Sequence, residues 1–235
     1  ADIAHIAGLY QGELSEMDAA LKPLFEHASM TNTLLIVTSD HGESFRHDYW
    51  FNHRGGLWDE ITRVPLVIRG PDLPQGERRD GVVGLVDLSP TVLGRLKLAP
   101  LDGVHGMDLG PTLKGAEGQD RVAFSITDPE RPNPQFAARS HEHKLIAPAE
   151  KGMPVLEKAL SYDLRIDPLE AKPDAPLPEP MESIGSVYQA KLQRVMARWQ
   201  GPAPEKRQPE QAEFERLKAL GYVDEPGADP PPPRP

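Results

Sequence analysis

The residues best suited to chemistry lie close together, in Ser39-Asp40-His41-Gly42 and, a little further on, His53-Arg54. An apolar run ends at Ser39, and a carboxylate and an imidazole follow side by side. An anionic oxygen beside an imidazole nitrogen suits Mg²⁺, Ca²⁺, Mn²⁺ or Zn²⁺, with the histidine drawing the choice toward the softer ions. Gly42 lets the backbone turn away without a side chain crowding the ligands. The same tripeptide also reads as a plain turn, with Asp40 bonding to backbone amides and His41 an ordinary loop residue. His53 and Arg54 tilt the reading toward the metal, because both can return to the same sheet edge. His53 could be a third ligand or a general acid, and Arg54 a bidentate partner for an anion. His47 sits in a polar stretch resembling a solvated loop tip. Asp59, Glu60 and Arg63 are expected to form a local ion pair, worth about 0–1 kcal/mol if exposed. Asp87 reads as a helix-start carboxylate favoured by the helix dipole. His105, His141 and His143 have no partner spacing and read as structural.

Several elements must hold these residues in place. The opening stretch has apolar residues at helical spacing (Ile3, Ile6, Leu9, Leu14, Met17, Leu21, Leu24), which predicts one long amphipathic helix, or two, interrupted at Pro23. Thr33–Thr38 is a β-branched run of the kind buried on both faces of a parallel sheet. Further apolar runs, Val64–Ile68 and Val82–Val86, predict two more strands. Ser89 then suits a helix cap and Pro90 the first helical position. This order is α/β grammar. After about Gly118 the pattern changes to short strands at Val122–Thr127, Phe136–Arg139, Lys144–Ile146 and Ala159–Leu164. A helix over Ile184–Trp199 follows. The expected organisation is therefore an α/β region over 1–118, a small antiparallel α+β subdomain over 119–200, and a polar, proline-rich tail over 201–235 with a short helix near Gln208–Gly221.

Composition narrows the partners. The chain has 235 residues, and its 36 acidic against 26 basic side chains leave a formal charge of −10. That balance gives no electrostatic footprint for nucleic acid or an anionic membrane. With no cysteine, neither a disulfide framework nor a thiolate metal site is available. No apolar stretch reaches the length of a membrane span. The chain opens at Ala1 directly in a helical pattern, so no leader is visible and localisation is open on these grounds.

The order of segments resembles the sulfatase family of the alkaline phosphatase superfamily. "YQGELSEMD" is similar to the helix before the family's central metal strand, and "NTLLIVTSDHGE" to that strand with its ligand pair. "HRGGLWDEITRVPLVIRGP" resembles the bacterial pattern of a basic residue, an aromatic, an acidic pair and R-V-P. "GLVDLSPTVLGRL", "DGVHGMDLGPTLKG", "HKLI", "SYDLRIDPLEAKPDA" and "ERLKALGYV" continue the resemblance in order, from about Ala4 to Val223. It implies an alkaline-phosphatase-like α/β sandwich with a mixed, mostly parallel central sheet and a small antiparallel α+β subdomain. It also implies a metal-dependent sulfuric ester hydrolase acting on a sulfated small molecule or carbohydrate, in the periplasm or outside a bacterial cell. Carried over by position, Asp40 and His41 match the metal pair, with Ca²⁺ the first choice and Mg²⁺, Mn²⁺ or Zn²⁺ as alternatives. His53 matches the basic residue that contacts the sulfate or the leaving oxygen, with Arg54 the second choice.

Two departures qualify what the resemblance implies. Many members carry Asn where this chain has His41, and the Asp-His version also occurs in phosphonate and phosphate ester hydrolases. A phosphodiesterase or phosphonate monoester hydrolase is therefore the alternative enzyme, and a noncatalytic metal-binding remnant the alternative of another class. The family's formylglycine nucleophile derives from a C/S-x-P-x-R motif placed before the central strand. Here the similar Thr127-Asp128-Pro129-Glu130-Arg131 falls after the metal pair and is read as coincidence. The expectation is a C-terminal portion of a sulfatase-like enzyme, a fragment or one partner of a split enzyme, inactive alone.

Overall fold

The apolar spacing of the first residues produces a single helix, α1 (Ile3–Phe25), with Pro23 inside its last turn. The structure, a computed structural model, describes residues 3–27, 32–47, 53, 55–116, 121–127, 133–150, 153–173 and 211–219. No residue of α1 is buried, and Leu9, Leu14, Met17 and Leu24 stay exposed. The helix is tied to the rest by the ring of Tyr10, edge-on to Phe45 at 5.2 Å, and by Arg69, which donates to the Phe25 carbonyl at 3.1 Å.

Strand β1 (Leu35–Thr38) pairs with β2 (Leu66–Arg69), from Leu35 opposite Arg69 to Thr38 opposite Leu66. The pairing is antiparallel, where the apolar runs predict a parallel sheet; among the described residues no parallel pair occurs. Nor is either strand buried on both faces. β2 alternates between half-buried and exposed positions, as one covered face requires. The short helix α2 (Asp59–Thr62) lies in the connection between them.

The run Val82–Val86 is not a strand. Its end winds into a 3₁₀ turn, Leu85–Asp87, that feeds α3 (Leu88–Arg95). The cause is Asp87. Its amide donates to the Gly84 carbonyl at 2.9 Å while its carboxylate accepts the Gly84 amide at 2.8 Å, which folds the segment back on itself. The cap of α3 is accordingly Asp87, two residues before the expected Ser89, and Pro90 sits inside the first turn. A further short helix, α4 (Gly110–Leu113), follows.

The remaining strands form one antiparallel sheet. β3 (Ala123–Ile126), β4 (Gln135–Arg139), β5 (His143–Glu150) and β6 (Met153–Pro154) follow in order, and β7 (Leu160–Asp163) also pairs with β5. Alternation along β4 and β5 divides the core between two faces. Phe136, Ala138, Leu145 and Ala149 fill one, and Ala137, Ile146, Tyr162 and Leu164 fill the other. Leu57 and Trp58, just before α2, cover that second face. The sheet thus holds the chain segment that carries the candidate site.

The chain divides into two compact units, Ala1–Arg198 and Trp199–Pro235. In the second, α5 (Gln211–Ala219) matches the expected short helix. The expected helix over Ile184–Trp199 and the proline-rich end lie outside the described residues. No helix among the described residues is long and apolar enough to cross a membrane.

Candidate functional site

Asp40 and His41 are delivered by the end of β1. Beyond the last strand pair, the Thr38 hydroxyl donates to the Pro65 carbonyl at 2.8 Å, and the Gly42 amide to the Ile61 carbonyl at 2.8 Å. Ser39–His41 is held out between these two clasps. The Ser39 hydroxyl donates to the His41 carbonyl at 2.6 Å, and Asp40 Oδ1 accepts the His41 amide at 3.0 Å. The local turn and the ligand pair are therefore compatible, since Asp40 uses one oxygen for the turn. Its side chain remains 72% exposed.

His41 Nδ1 lies 2.8 Å from the Gly42 carbonyl. A carbonyl only accepts, so Nδ1 carries the proton and Nε2 presents its lone pair. That nitrogen is 3.8 Å from Asp40 Oδ2, too far for a hydrogen bond and near enough for one cation to touch both. The donor set fits a divalent ion, with the tautomer fixed by a backbone carbonyl as metal-binding histidines commonly have it. Among the described residues no cluster of three or more potential ligands is present, so Asp40 and His41 stand as a pair.

His53 returns to this pair as the sequence suggested. Its ring stacks on that of His41, with centroids 4.0 Å apart and planes within 13°. Among the described residues it forms no group of three potential metal ligands with Asp40 and His41. Its Nδ1 is 3.1 Å from Glu43 Oε2, an acceptor, so Nδ1 donates there. Glu43 was not singled out from the sequence; its closeness to Asp40-His41 was visible, its pairing with His53 was not. Arg54 lies outside the described residues.

Gly42 is required by close approach. A Cβ built there collides with the backbone carbonyl oxygen of Glu60. Gly42→Ala is expected to cost about 1–3 kcal/mol, as overpacking against backbone does. A urea denaturation midpoint within error of the parent would contradict that.

The expected local ion pair among Asp59, Glu60 and Arg63 does not form. Asp59 instead reaches the five-stranded sheet, accepting from Lys144 Nζ at 2.7 Å and Arg139 Nε at 3.0 Å. Lys144, whose side chain is 1% exposed, also pairs with Glu170 at 2.9 Å. Burial alone would raise the Asp59 carboxyl, but Lys144 and Arg139 outweigh it and hold it below the ordinary value. Burial pushes the Glu170 carboxyl up, and Lys144 only partly offsets this. Glu60 points the other way, into the loop after Gly42. It accepts the Ser44 hydroxyl at 2.6 Å and the Phe45 amide at 3.3 Å, and its Oε1 is 3.1 Å from His47 Nδ1. His47 is thus no solvated loop tip. Its Nε2 lies 2.9 Å from the Glu170 carbonyl, and its ring stacks on Trp58 at 4.5 Å.

Asp87 is a buried hub. Both its oxygens meet Arg121, at 2.7 and 3.2 Å, and the Met107 amide adds a donor at 2.9 Å. Its side chain caps Gly84 rather than the start of α3. His141 and His143 sit at the β4–β5 turn, where the Ser140 amide bonds the His143 carbonyl at 2.9 Å, and His143 faces Asp163 at 4.0 Å.

Asp40, His41 and His53 line an open cleft of about 2210 Å³ that also takes in Arg63, Arg139 and Lys144. That exceeds the roughly 300–1,000 Å³ of a small-molecule pocket, so the cleft is a broad open face and the stacked histidines mark only one place on it.

An Asp-His pair at a strand end of an α/β fold is an arrangement that known hydrolases share, and comparison with known proteins gives the chain its relatives. Residues 2–98 match the Sulfatase family model. Through these residues the chain is similar to the sulfatase family, and its fold is that of the alkaline-phosphatase-like sulfatases. A Δ4,5-hexuronate-2-O-sulfatase of Bacteroides thetaiotaomicron is 28% identical over 116 residues, 48% of this chain and 24% of that protein. The solved structure of a 2-O GAG sulfatase is similar with a TM-score of 0.57 and 25% identity, over 78% of this chain and 40% of that one. A phosphonate monoester hydrolase from Silicibacter pomeroyi gives a TM-score of 0.58 at 21% identity, over 78% of this chain and 38% of the other. The chain spans less than a quarter of the length of curated relatives such as these.

Proposed function

We propose that this chain contributes the metal pair and an acid–base histidine to a sulfuric ester hydrolase that acts on sulfated carbohydrates. The observation that carries the reading is the stacked pair His41–His53 at the end of β1, with Asp40 beside the one and Glu43 beside the other. Asp40 and His41 would hold a divalent cation, Ca²⁺ first among Ca²⁺, Mg²⁺, Mn²⁺ and Zn²⁺. Such an ion supplies Lewis-acid polarisation of the sulfate group. His53 contacts the sulfate or gives a proton from Nε2 to the leaving oxygen, and Glu43 stabilises the imidazolium and fixes its orientation. Arg54 is the second cation toward the sulfate. The nucleophile, a formylglycine by resemblance, has no C/S-x-P-x-R precursor in this sequence, so it and further carboxylates are assigned to polypeptide outside these residues. The hexuronate and GAG specificities of the similar proteins support a sulfated sugar as the substrate class.

Calorimetric titration with Mn²⁺ and Ca²⁺ tests the metal half. Asp40→Ala and His41→Ala are each expected to weaken binding at least 10-fold, the lower end of what even outer-shell changes do at metal sites. Equal affinity in both variants and the parent would defeat the assignment. Robust hydrolysis of an aryl sulfate by the 235-residue chain would defeat the division of labour. A phosphonate ester hydrolase is the second reading, favoured by histidine at position 41 and by the fold likeness to the phosphonate enzyme. Turnover of a phenyl phosphonate in preference to an aryl sulfate, by a complete enzyme containing this chain, would select it.

A further inference from the structure

We propose that Glu60 and His47 form a clasp that positions the Asp40–His41–Glu43–His53 cluster, and that through it the β3–β7 sheet sets the geometry of the site. The four-residue helix α2 carries two adjacent carboxylates, and successive helical residues point about 100° apart. Asp59 therefore faces the sheet, where Lys144 and Arg139 hold it, while Glu60 faces the loop that follows His41. With its side chain 13% exposed, Glu60 gathers three groups of that loop: the Ser44 hydroxyl, the Phe45 amide and His47 Nδ1. Glu43, the partner of His53, lies immediately before Ser44 and accepts the Ser44 amide at 3.1 Å.

The contacts close into a ring. His47 Nε2 donates to the Glu170 carbonyl, and a Glu170 carboxylate oxygen accepts the Asp59 amide, which returns to α2. The His47 ring lies flat on Trp58, its plane within 5°, and Trp58 packs on the sheet face. Both residues joined by the His47–Glu170 bond are non-glycine residues at positive φ, 61° and 54°. Each such conformation costs about 1–3 kcal/mol and persists where the surroundings over-determine it. Strain on both sides of one hydrogen bond marks a junction that the fold holds in one arrangement. Glu60 and His47 are thus positioning residues that act through Glu43, His53 and the Gly42 turn.

The test is made on the 235-residue chain with ¹⁵N-resolved resonances of the histidine rings and with Mn²⁺ titration. Glu60→Ala is expected to shift the His53 and His41 ring resonances and to weaken Mn²⁺ binding about 10–100-fold, as outer-shell changes do. Glu60→Gln keeps an acceptor for Ser44 and should restore the ring resonances. His47→Ala should reproduce Glu60→Ala, and the double variant should be no worse than either, because the two act as one unit. Thr91→Ala, which removes a buried hydroxyl bonded to the Leu109 amide, controls for a general loss of stability. Unchanged His41 and His53 resonances in Glu60→Ala overturn the proposal, as does an equal shift in Thr91→Ala. Should Glu60→Ala not fold, His47→Ala is read by the same criteria. The metal readout rests on the proposed function and the ring resonances do not. A parent chain that binds no Mn²⁺ but shows the ring shifts defeats the metal reading and leaves the clasp standing.

Discussion

Replacing Lys144 by methionine is expected to lower the free energy of unfolding by about 3–5 kcal/mol, the cost of leaving a buried charge uncompensated. Lys144 is 1% exposed and sits between Asp59 at 2.7 Å and Glu170 at 2.9 Å, themselves 12% and 2% exposed. Methionine keeps the length and the apolar stem, so packing is largely preserved and the loss is electrostatic. Arg139 still faces Asp59, which leaves Glu170 as the more damaged partner. The double change Lys144→Met/Glu170→Gln should therefore recover part of the loss, because it removes the orphaned charge. Acid should narrow the difference as well. The Asp59 carboxyl is depressed, so its contribution is present above the unfolded carboxylate value of about 4 and lost as pH falls through the folded one. The Glu170 carboxyl is raised, so keeping it charged already costs stability as pH rises above that range. Urea midpoints at neutral and acidic pH measure both effects. A loss below about 1 kcal/mol at neutral pH would mean that this triad is screened like a surface pair.

The second large effect is expected at Asp87. Asp87→Ala strands the Arg121 guanidinium and the amides of Gly84 and Met107, and should cost about 3–5 kcal/mol. Burial raises the Asp87 carboxyl, but Arg121 and the two backbone amides outweigh it and hold it low. A depressed folded value again means stability that is present near neutrality and lost on acidification. Parent and variant should thus converge as pH falls below about 4, and a constant gap across that window would contradict the account. The predicted reading of Asp87 as a helix-start carboxylate captured its position and missed its partner. Arg121 is 34 residues away in sequence, and nothing local marks it.

The same division runs through the molecule. Helical spacing from Ile3 to Leu24 was enough for α1, because an amphipathic stripe is a property of consecutive residues. Short apolar runs bounded by turn residues located β1, β2 and strands β3, β4, β5 and β7 for a similar reason. The run Val82–Val86 has the same composition and became no strand. Strand formation needs a partner edge, and Asp87 instead folds the segment onto Gly84. Pairing direction also escaped the sequence, since an apolar run carries no mark of whether its neighbour lies parallel or antiparallel to it.

For the site, the sequence by itself determined that an oxygen donor and an imidazole stand at the end of a strand, with a second histidine near enough to return. It determined that these 235 residues offer no thiolate, and it carried the order of segments that resembles the sulfatase family, whose model matches residues 2–98. The tertiary structure decided the rest: that His53 stacks on His41 and leans on Glu43, that Glu60 gathers the loop, and that Asp59 answers to Lys144 85 residues away. The physical reason is range. Periodicity, turns and adjacent ligands arise from neighbours along the chain, whereas the partner of a buried charge is whichever opposite charge the fold brings within about 3 Å.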